Sequence, residues 1–198
     1  MIIAEKTTNE RYTGHFPDGS KRKKYFKLAM EAGQVEKILD VLEFIPMACL
    51  SRLMEINPNT LRKRLLDPNQ LTMSNVMRFA TIINIDSSKI FRCIAVELDA
   101  QSSRQTPYDR DEFKQYESLK LAMEAGRAQR MRDVIEFIPI TCLYEHMDIN
   151  YNTLCKRLLD PNQLTMSNIL RFAVLTKIDS SEIFRRIADE LSHELKGA

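Results

Sequence analysis

The chain contains nearly the same sequence twice, and this duplication most limits what it can fold into. Residues 28–98 align with residues 121–191 without a gap, at a constant shift of 93 positions, and about two-thirds of the aligned residues are identical. The longest match is KRLLDPNQLTMSN, which occupies residues 63–75 and again residues 156–168. Self-similarity at a fixed period indicates two copies of one folding unit. We therefore expect two similar domains that can present two similar binding surfaces.

Residue composition predicts that both units are all-α. Leu, Met, Lys, Glu and Arg dominate, Gly occurs only 5 times in 198 residues, and no segment alternates in the way that a strand does. Each unit is expected to be a compact bundle of about five helices. Polar segments with Pro or Gly set the boundaries: an N-terminal arm at 1–20, repeat 1 at 21–98, a linker at 99–112, and repeat 2 with a short tail at 113–198.

Several classes of protein are disfavoured by what the sequence lacks. No apolar run approaches the roughly 20 residues that a membrane helix needs, and the N-terminus does not have the pattern of a secretory signal. The four cysteines show no C-x-x-C spacing, and Cys49 and Cys142 lie on an apolar helix face where a buried free thiol is expected, which fits a reducing cytoplasm. The three histidines are widely separated, and no catalytic or phosphate-binding motif is present. We expect a cytoplasmic protein without metal, cofactor or enzymatic activity.

Charge is distributed unevenly between the two units. The formal net charge of the whole chain is only +2. Residues 21–98 carry 13 basic and 8 acidic side chains, whereas residues 114–191 carry 11 of each. The first repeat is therefore the better candidate for binding a polyanion. The basic run at residues 21–24 has two interpretations, a grip on phosphates or a solubilising start to the first helix.

Helical periodicity and capping residues divide repeat 1 into helices. Apolar residues at helical spacing predict one helix over residues 34–45, and Pro46 suits the start of the next. Asn57 is expected to cap a helix over Pro58–Leu66 with Pro58 in its first turn, and Thr72 is expected to cap the helix after it. On that helix Leu61 and Leu65 should point inward. The side chains left on its outward face and flanks are Asn59, Thr60, Arg62, Lys63 and Arg64.

This segment resembles the Cro/lambda-repressor-like (XRE-type) helix-turn-helix DNA-binding domain. In residues 49–91, Leu50 stands where the family has a Leu, and residues 56–57 match the apolar-then-cap pair of its turn. Residues 59–63 (NTLRK) match the start of the recognition helix, and residues 79–86 match the closing pattern. The second copy supplies the counterparts Leu143, 149–150, 152–156 and 172–173. The likeness covers about fifty residues of each copy.

The resemblance implies sequence-specific binding of double-stranded DNA, through major grooves and phosphates, by a bacterial or phage type of transcriptional regulator. A linker of fourteen residues would reach about 45–50 Å when extended, more than the ~34 Å between successive major-groove faces. One chain could thus span two half-sites. The implied DNA-binding residues are Asn57, Pro58, Asn59, Thr60, Arg62, Lys63, Arg64, Asn150, Tyr151, Asn152, Thr153, Lys156 and Arg157.

The chain departs from the family pattern mainly in its second copy. The small Ala where the two helices pack is replaced by Ser51 and, in the second copy, by Tyr144, which would separate the helices unless it turns outward. The Gly before the turn is Glu55 in repeat 1 and Asp148 in repeat 2. The recognition helices also differ between the copies, with Tyr151 in place of Pro58 and Cys155 in place of Arg62. The second copy is therefore expected to bind a different sequence, to bind weakly or to serve as a structural partner.

The main alternative is a protein-interaction or assembly module that kept this fold without its DNA surface. In a mixed case, repeat 1 would bind DNA while repeat 2 pairs with a second copy of the chain or with another protein. Binding of RNA or single-stranded DNA is disfavoured, because no aromatic residues are interleaved with the basic ones as stacking platforms.

Overall fold

A computed structural model describes residues 19–99 and 113–197. The predicted arm and linker therefore lie almost wholly outside the described residues. The first helix already begins at Gly19, and the last helix of the first segment continues to Asp99. We refer to residues 19–99 as the N-terminal half and to residues 113–197 as the C-terminal half.

Both halves are helical, which confirms the predicted all-α class. Within the described residues there is no strand, and a single isolated β-bridge joins the halves. The eleven α-helices are α1 Gly19–Glu31, α2 Val41–Phe44, α3 Met47–Met54, α4 Pro58–Leu66, α5 Met73–Ile83, α6 Ser87–Asp99, α7 Phe113–Glu124, α8 Ile140–Met147, α9 Tyr151–Leu159, α10 Met166–Thr176 and α11 Ser180–Gly197. Short 3-10 helices occupy Ile38–Asp40, Pro68–Gln70, Met131–Glu136 and Pro161–Gln163.

The helix starts expected from capping residues are found. The Asn57 side chain accepts a hydrogen bond from the Asn59 N–H at 2.9 Å, and Pro58 occupies the first helical position of α4. Thr72 caps α5 in a reciprocal box with Asn75. These caps satisfy N–H groups that have no partner within the helix. Local sequence is therefore enough to place the beginnings of α4 and α5.

The predicted helix over residues 34–45 is wrong in its first part. Only the 3-10 helix Ile38–Asp40 and the four residues of α2 are helical there. The Asp40 carboxylate accepts hydrogen bonds from the Lys37 and Glu36 N–H groups at 2.9 and 3.2 Å. The Ile38 N–H donates to Glu97 of α6 at 3.1 Å. These side chains satisfy backbone N–H groups that a longer helix would otherwise pair, so residues 34–37 are not helical.

The two halves share one hydrophobic core. Helix α6 packs against α11, and Phe91 stacks on Phe184 with ring centroids 4.4 Å apart and an interplanar angle of 19°. Both rings are completely buried. Because this stack lies between the halves, the apolar interior is continuous from one to the other.

A short backbone ladder also joins the halves. The Met73 N–H donates to the Leu164 carbonyl, the Met166 N–H donates to the Leu71 carbonyl, and each bond is 2.8 Å long. These bonds flank an antiparallel bridge between Thr72 and Thr165. The ladder lies within the stretch that is identical in both halves. The longest internal match in the sequence therefore supplies one of the contacts between the halves.

Candidate nucleic-acid interface

Helices α3 and α4 are joined by a tight turn at Glu55. This residue adopts the left-handed conformation with φ of 51°, and Asp148 does the same between α8 and α9. A side chain is strained in that conformation, where glycine is ordinarily preferred. The Glu55 carboxylate forms an ion pair with Arg78 of α5 at 2.6 Å, and Asp148 pairs with Arg171 of α10 at 3.3 Å. The acidic residue at each turn therefore ties the turn to α5 in the N-terminal half and to α10 in the C-terminal half.

The ion pair with Arg78 also keeps the Glu55 carboxylate ionised. The hydrogen bond from Arg78, with the positive charge of its guanidinium, lowers the pKa of Glu55 below its usual value of 4.5. The carboxylate thus stays ionised at neutral pH. Its negative charge is offset by Arg78 next to it, so the turn does not add a free anion to the α3–α4 surface.

Ser51 on α3 and Tyr144 on α8, which stand where the family has a small Ala, are accommodated differently. Ser51 is buried, and its hydroxyl donates to the Ala48 carbonyl at 3.2 Å. Tyr144 is half-buried, and its ring lies edge-on to Tyr151, with centroids 5.9 Å apart and an angle of 84°. Its hydroxyl donates to Glu145 at 3.1 Å. Tyr144 therefore turns toward the start of α9, and α8 and α9 keep the same lengths as α3 and α4.

Helix α4 has one buried and one exposed face, as predicted. Leu61 and Leu65 are 1% and 4% exposed. We call the exposed side the outer face of α4, and it consists of Asn57, Pro58, Asn59, Thr60, Arg62 and Lys63. These side chains offer amide, hydroxyl and cationic groups of the kinds that bind base edges and phosphates.

Helix α9 presents a related but less basic face. Asn150, Tyr151, Asn152 and Lys156 are exposed, and Thr153 is half-buried. Cys155 is half-buried at the place that corresponds to Arg62. Burial and hydrogen bonding thus bring the Asn, Thr and Lys side chains to equivalent positions in both halves, while the guanidinium of Arg62 has no counterpart.

Arg64 and Arg157 do not belong to these outer faces. Both are half-buried, and their guanidinium groups donate to Asn75 at 2.8 Å and to Asn168 at 2.6 Å. Burial lowers the pKa of Arg157, although the group remains charged at neutral pH. The structure therefore places these two arginines where they hold α4 and α9 against the starts of α5 and α10.

Two exposed leucines were missed by the sequence interpretation. Leu66 and Leu159, the last residues of α4 and α9, are 61% and 76% exposed. The interpretation placed Leu61 and Leu65 inward and gave no position for Leu66 or Leu159. Helical spacing could have predicted the exposure of Leu66. At 100° per residue, Leu66 lies three residues after Lys63 and so shares the exposed face of that lysine.

The α3–α4 and α8–α9 segments differ in formal charge. Residues 47–66 carry four basic and one acidic side chain, whereas residues 140–159 carry two of each. Arg62 is replaced by Cys155, and Arg52 by Glu145. In the N-terminal half, Arg52 and Arg62 are both exposed. The excess positive charge of the N-terminal half is therefore partly concentrated on its α3–α4 pair.

The described residues contain no group of three His, Cys, Asp or Glu side chains that could hold a metal ion. No helix in that part of the chain is long and apolar enough to cross a membrane. Comparison with known proteins gives no match, whether with family models, with curated proteins or with solved structures.

Proposed function

We propose that this chain consists of two tandem helix-turn-helix domains and binds double-stranded DNA as a transcriptional regulator of bacterial or phage type. The observation that carries the proposal is the outer face of α4. A helix capped by Asn57 exposes amide, hydroxyl and cationic side chains on an element with a net charge of +3. Such a regulator would act in the cytoplasm, on the nucleoid.

Each group on that face has a chemical role in the proposal. Arg62 can donate two hydrogen bonds to the O6 and N7 atoms of a guanine, and Asn59 can pair with the N6 and N7 atoms of an adenine. Lys63 and Thr60 suit phosphate oxygens. Arg64 is held by Asn75, so in this mechanism it fixes the angle of α4 rather than contacting a base.

The C-terminal half is proposed to bind DNA more weakly. Helix α9 keeps Asn152, Thr153 and Lys156, but its helix-turn-helix element is neutral and it lacks an arginine at position 155. Fewer neutralised phosphates release fewer counterions, which lowers affinity. Linkage to the first half compensates by raising the effective concentration of the second helix near its site.

The test is a fluorescence-anisotropy titration with random-sequence duplex DNA at about 50 and 200 mM salt. We expect micromolar binding at the lower salt that weakens steeply at the higher, since nonspecific binding is driven by counterion release. The variant Lys63→Ala should lower the salt slope by about one unit. The matched control is Lys89→Ala, which removes the same charge from α6, where Lys89 lies 3.9 Å from Glu31.

The possible outcomes separate the placement of the site from the function. An equal loss of slope in both lysine variants would contradict the assignment of α4. Asn59→Ala and Arg62→Ala should change sequence preference, and uniform losses on every sequence would contradict their roles as base readers. Absence of binding at low salt would refute the proposed function.

A second candidate function is supported by the exposed side of the C-terminal half. Tyr151 is 44% exposed and packs edge-on against Tyr144, and Leu159 is 76% exposed at the far end of the same helix. Residues 140–159 carry no net formal charge, and exposed aromatic and aliphatic side chains on such a segment suit a protein interface. In this alternative α9 binds a protein partner or a second copy of the chain, and the isolated protein does not bind DNA.

A further inference from the structure

Equivalent residues of the two halves contact each other across the chain. Phe91 stacks on Phe184, and Thr72 bridges to Thr165, and in each pair the two positions differ by 93. The hydrogen bonds are reciprocal as well, because the Met73 N–H reaches Leu164 and the Met166 N–H reaches Leu71. When a residue contacts its own counterpart, the contact is isologous, and the units are related by a local two-fold axis. A simple translation along the chain would place different surfaces in contact.

Helices α4 and α9 are fixed to the segments on this axis. Only four residues separate the end of α4 at Leu66 from Leu71, and three of them form the 3-10 helix Pro68–Gln70. Arg64 of α4 also donates to Asn75 at 2.8 Å, a few residues beyond the bridge. The same connection holds α9, with Arg157 donating to Asn168 at 2.6 Å. Both helices therefore follow the two-fold relation of the halves.

We infer that the DNA target is an inverted repeat, bound by one chain, whose two half-sites are not identical; this rests on the proposed function. Two-fold-related helix-turn-helix units match the two-fold symmetry of the duplex backbone, so their half-sites run in opposite directions. Freely linked domains would instead accept either orientation and a range of spacings.

The differences between α4 and α9 define how the half-sites differ. Asn59 and Asn152 are equivalent, as are Lys63 and Lys156, so these pairs contact the same positions of each half-site. Arg62 can specify a guanine that Cys155 cannot, because a thiol lacks the two donors of a guanidinium. One half-site therefore carries a guanine requirement that is absent from the other.

The experiment selects preferred duplexes from a random library with the full chain and then compares synthetic sites by anisotropy. We expect inverted half-sites, a 1:1 complex by light scattering, and roughly a hundredfold loss of affinity when 5 base pairs, half a helical turn, are inserted between the half-sites. The variant Cys155→Arg should select a more symmetric inverted repeat that has the guanine in both halves. Arg62→Cys is the matched control and should lose the guanine from the first half.

The outcomes distinguish this inference from the function on which it rests. Selection of direct repeats, of a single half-site, or of sites whose affinity is independent of spacing would overturn the inference and leave DNA binding intact. A protein that fails to bind random duplex at about 50 mM salt would overturn the proposed function, and the inference with it.

Discussion

The stack of Phe91 on Phe184 makes a quantitative prediction about how the halves fold. Both rings are 0% exposed, and their centroids are 4.4 Å apart. Replacing either ring by Leu removes part of a buried side chain and leaves a small gap, which should cost about 1–2 kcal/mol of unfolding free energy. The contact between the two rings contributes about 0.5–1.5 kcal/mol in addition to area burial. The double variant should therefore be less destabilised than the sum of the single variants by that amount.

A matched pair of phenylalanines provides the control. Phe79 and Phe172 are equivalent in the two halves and nearly as buried, at 5% and 2% exposed. Phe79 packs on Phe26 of its own half, with centroids 5.8 Å apart. The losses of unfolding free energy caused by Phe79→Leu and Phe172→Leu should thus add to within about 0.5 kcal/mol in the double variant.

The assay is urea unfolding followed by far-ultraviolet circular dichroism and by intrinsic tyrosine fluorescence. If the halves share one core, both probes should give a single transition, and each Phe variant should shift all of it. Two transitions, with Phe91→Leu moving one and Phe184→Leu the other, would refute the reasoning. Strict additivity of the two substitutions would show that the rings do not interact in solution.

Three other predictions concern the Thr72–Thr165 bridge, the contact of Arg64 with Asn75, and the thiol of Cys93. Thr72 and Thr165 form a non-hydrogen-bonded antiparallel pair, whose Cα atoms lie roughly 4.5 Å apart, so Thr72→Cys with Thr165→Cys should form an intrachain disulfide on mild oxidation. A disulfide-linked dimer, seen on a non-reducing gel, would show that the halves pair between chains. Asn75→Ala should lower the unfolding free energy by about 2–3 kcal/mol, because it leaves the Arg64 guanidinium unpaired and removes a cap. Ser74 is exposed next to Asn75, so the control Ser74→Ala should change the unfolding free energy by less than about 0.5 kcal/mol. Equal effects of the two substitutions would contradict the contact between Arg64 and Asn75. Burial raises the pKa of Cys93 to about 11, so about one thiol in a thousand is ionised at pH 8 and the folded protein should resist iodoacetamide there; peptide mass spectrometry that finds Cys93 alkylated as fast as in urea would contradict this.

The sequence by itself determined the features that depend on neighbours within one helical turn. The all-α class, the Asn57 and Thr72 caps, and the inward direction of Leu61 and Leu65 are all found in the structure. Each depends on residues no more than four positions apart, through helical periodicity or a cap-to-backbone hydrogen bond. The nature of the side chains on the outer face of α4 was readable for the same reason, while their contact with DNA stays a prediction.

Tertiary structure decided the features that depend on distant residues. Residues 34–37 are not helical, and Glu97 of α6 takes the Ile38 N–H that follows them, a partner that periodicity does not reveal. Arg64 is a solvent-facing cation by pattern, but Asn75 draws it inward.

The pairing of the two halves was likewise decided only by the folded chain. Duplication indicates that two units exist, and it is equally compatible with separate domains on a linker and with a shared core. The choice between them comes from the packing of Phe91 on Phe184 and from the ladder on either side of Thr72. Such contacts depend on shape complementarity between surfaces far apart in sequence, which no local pattern encodes.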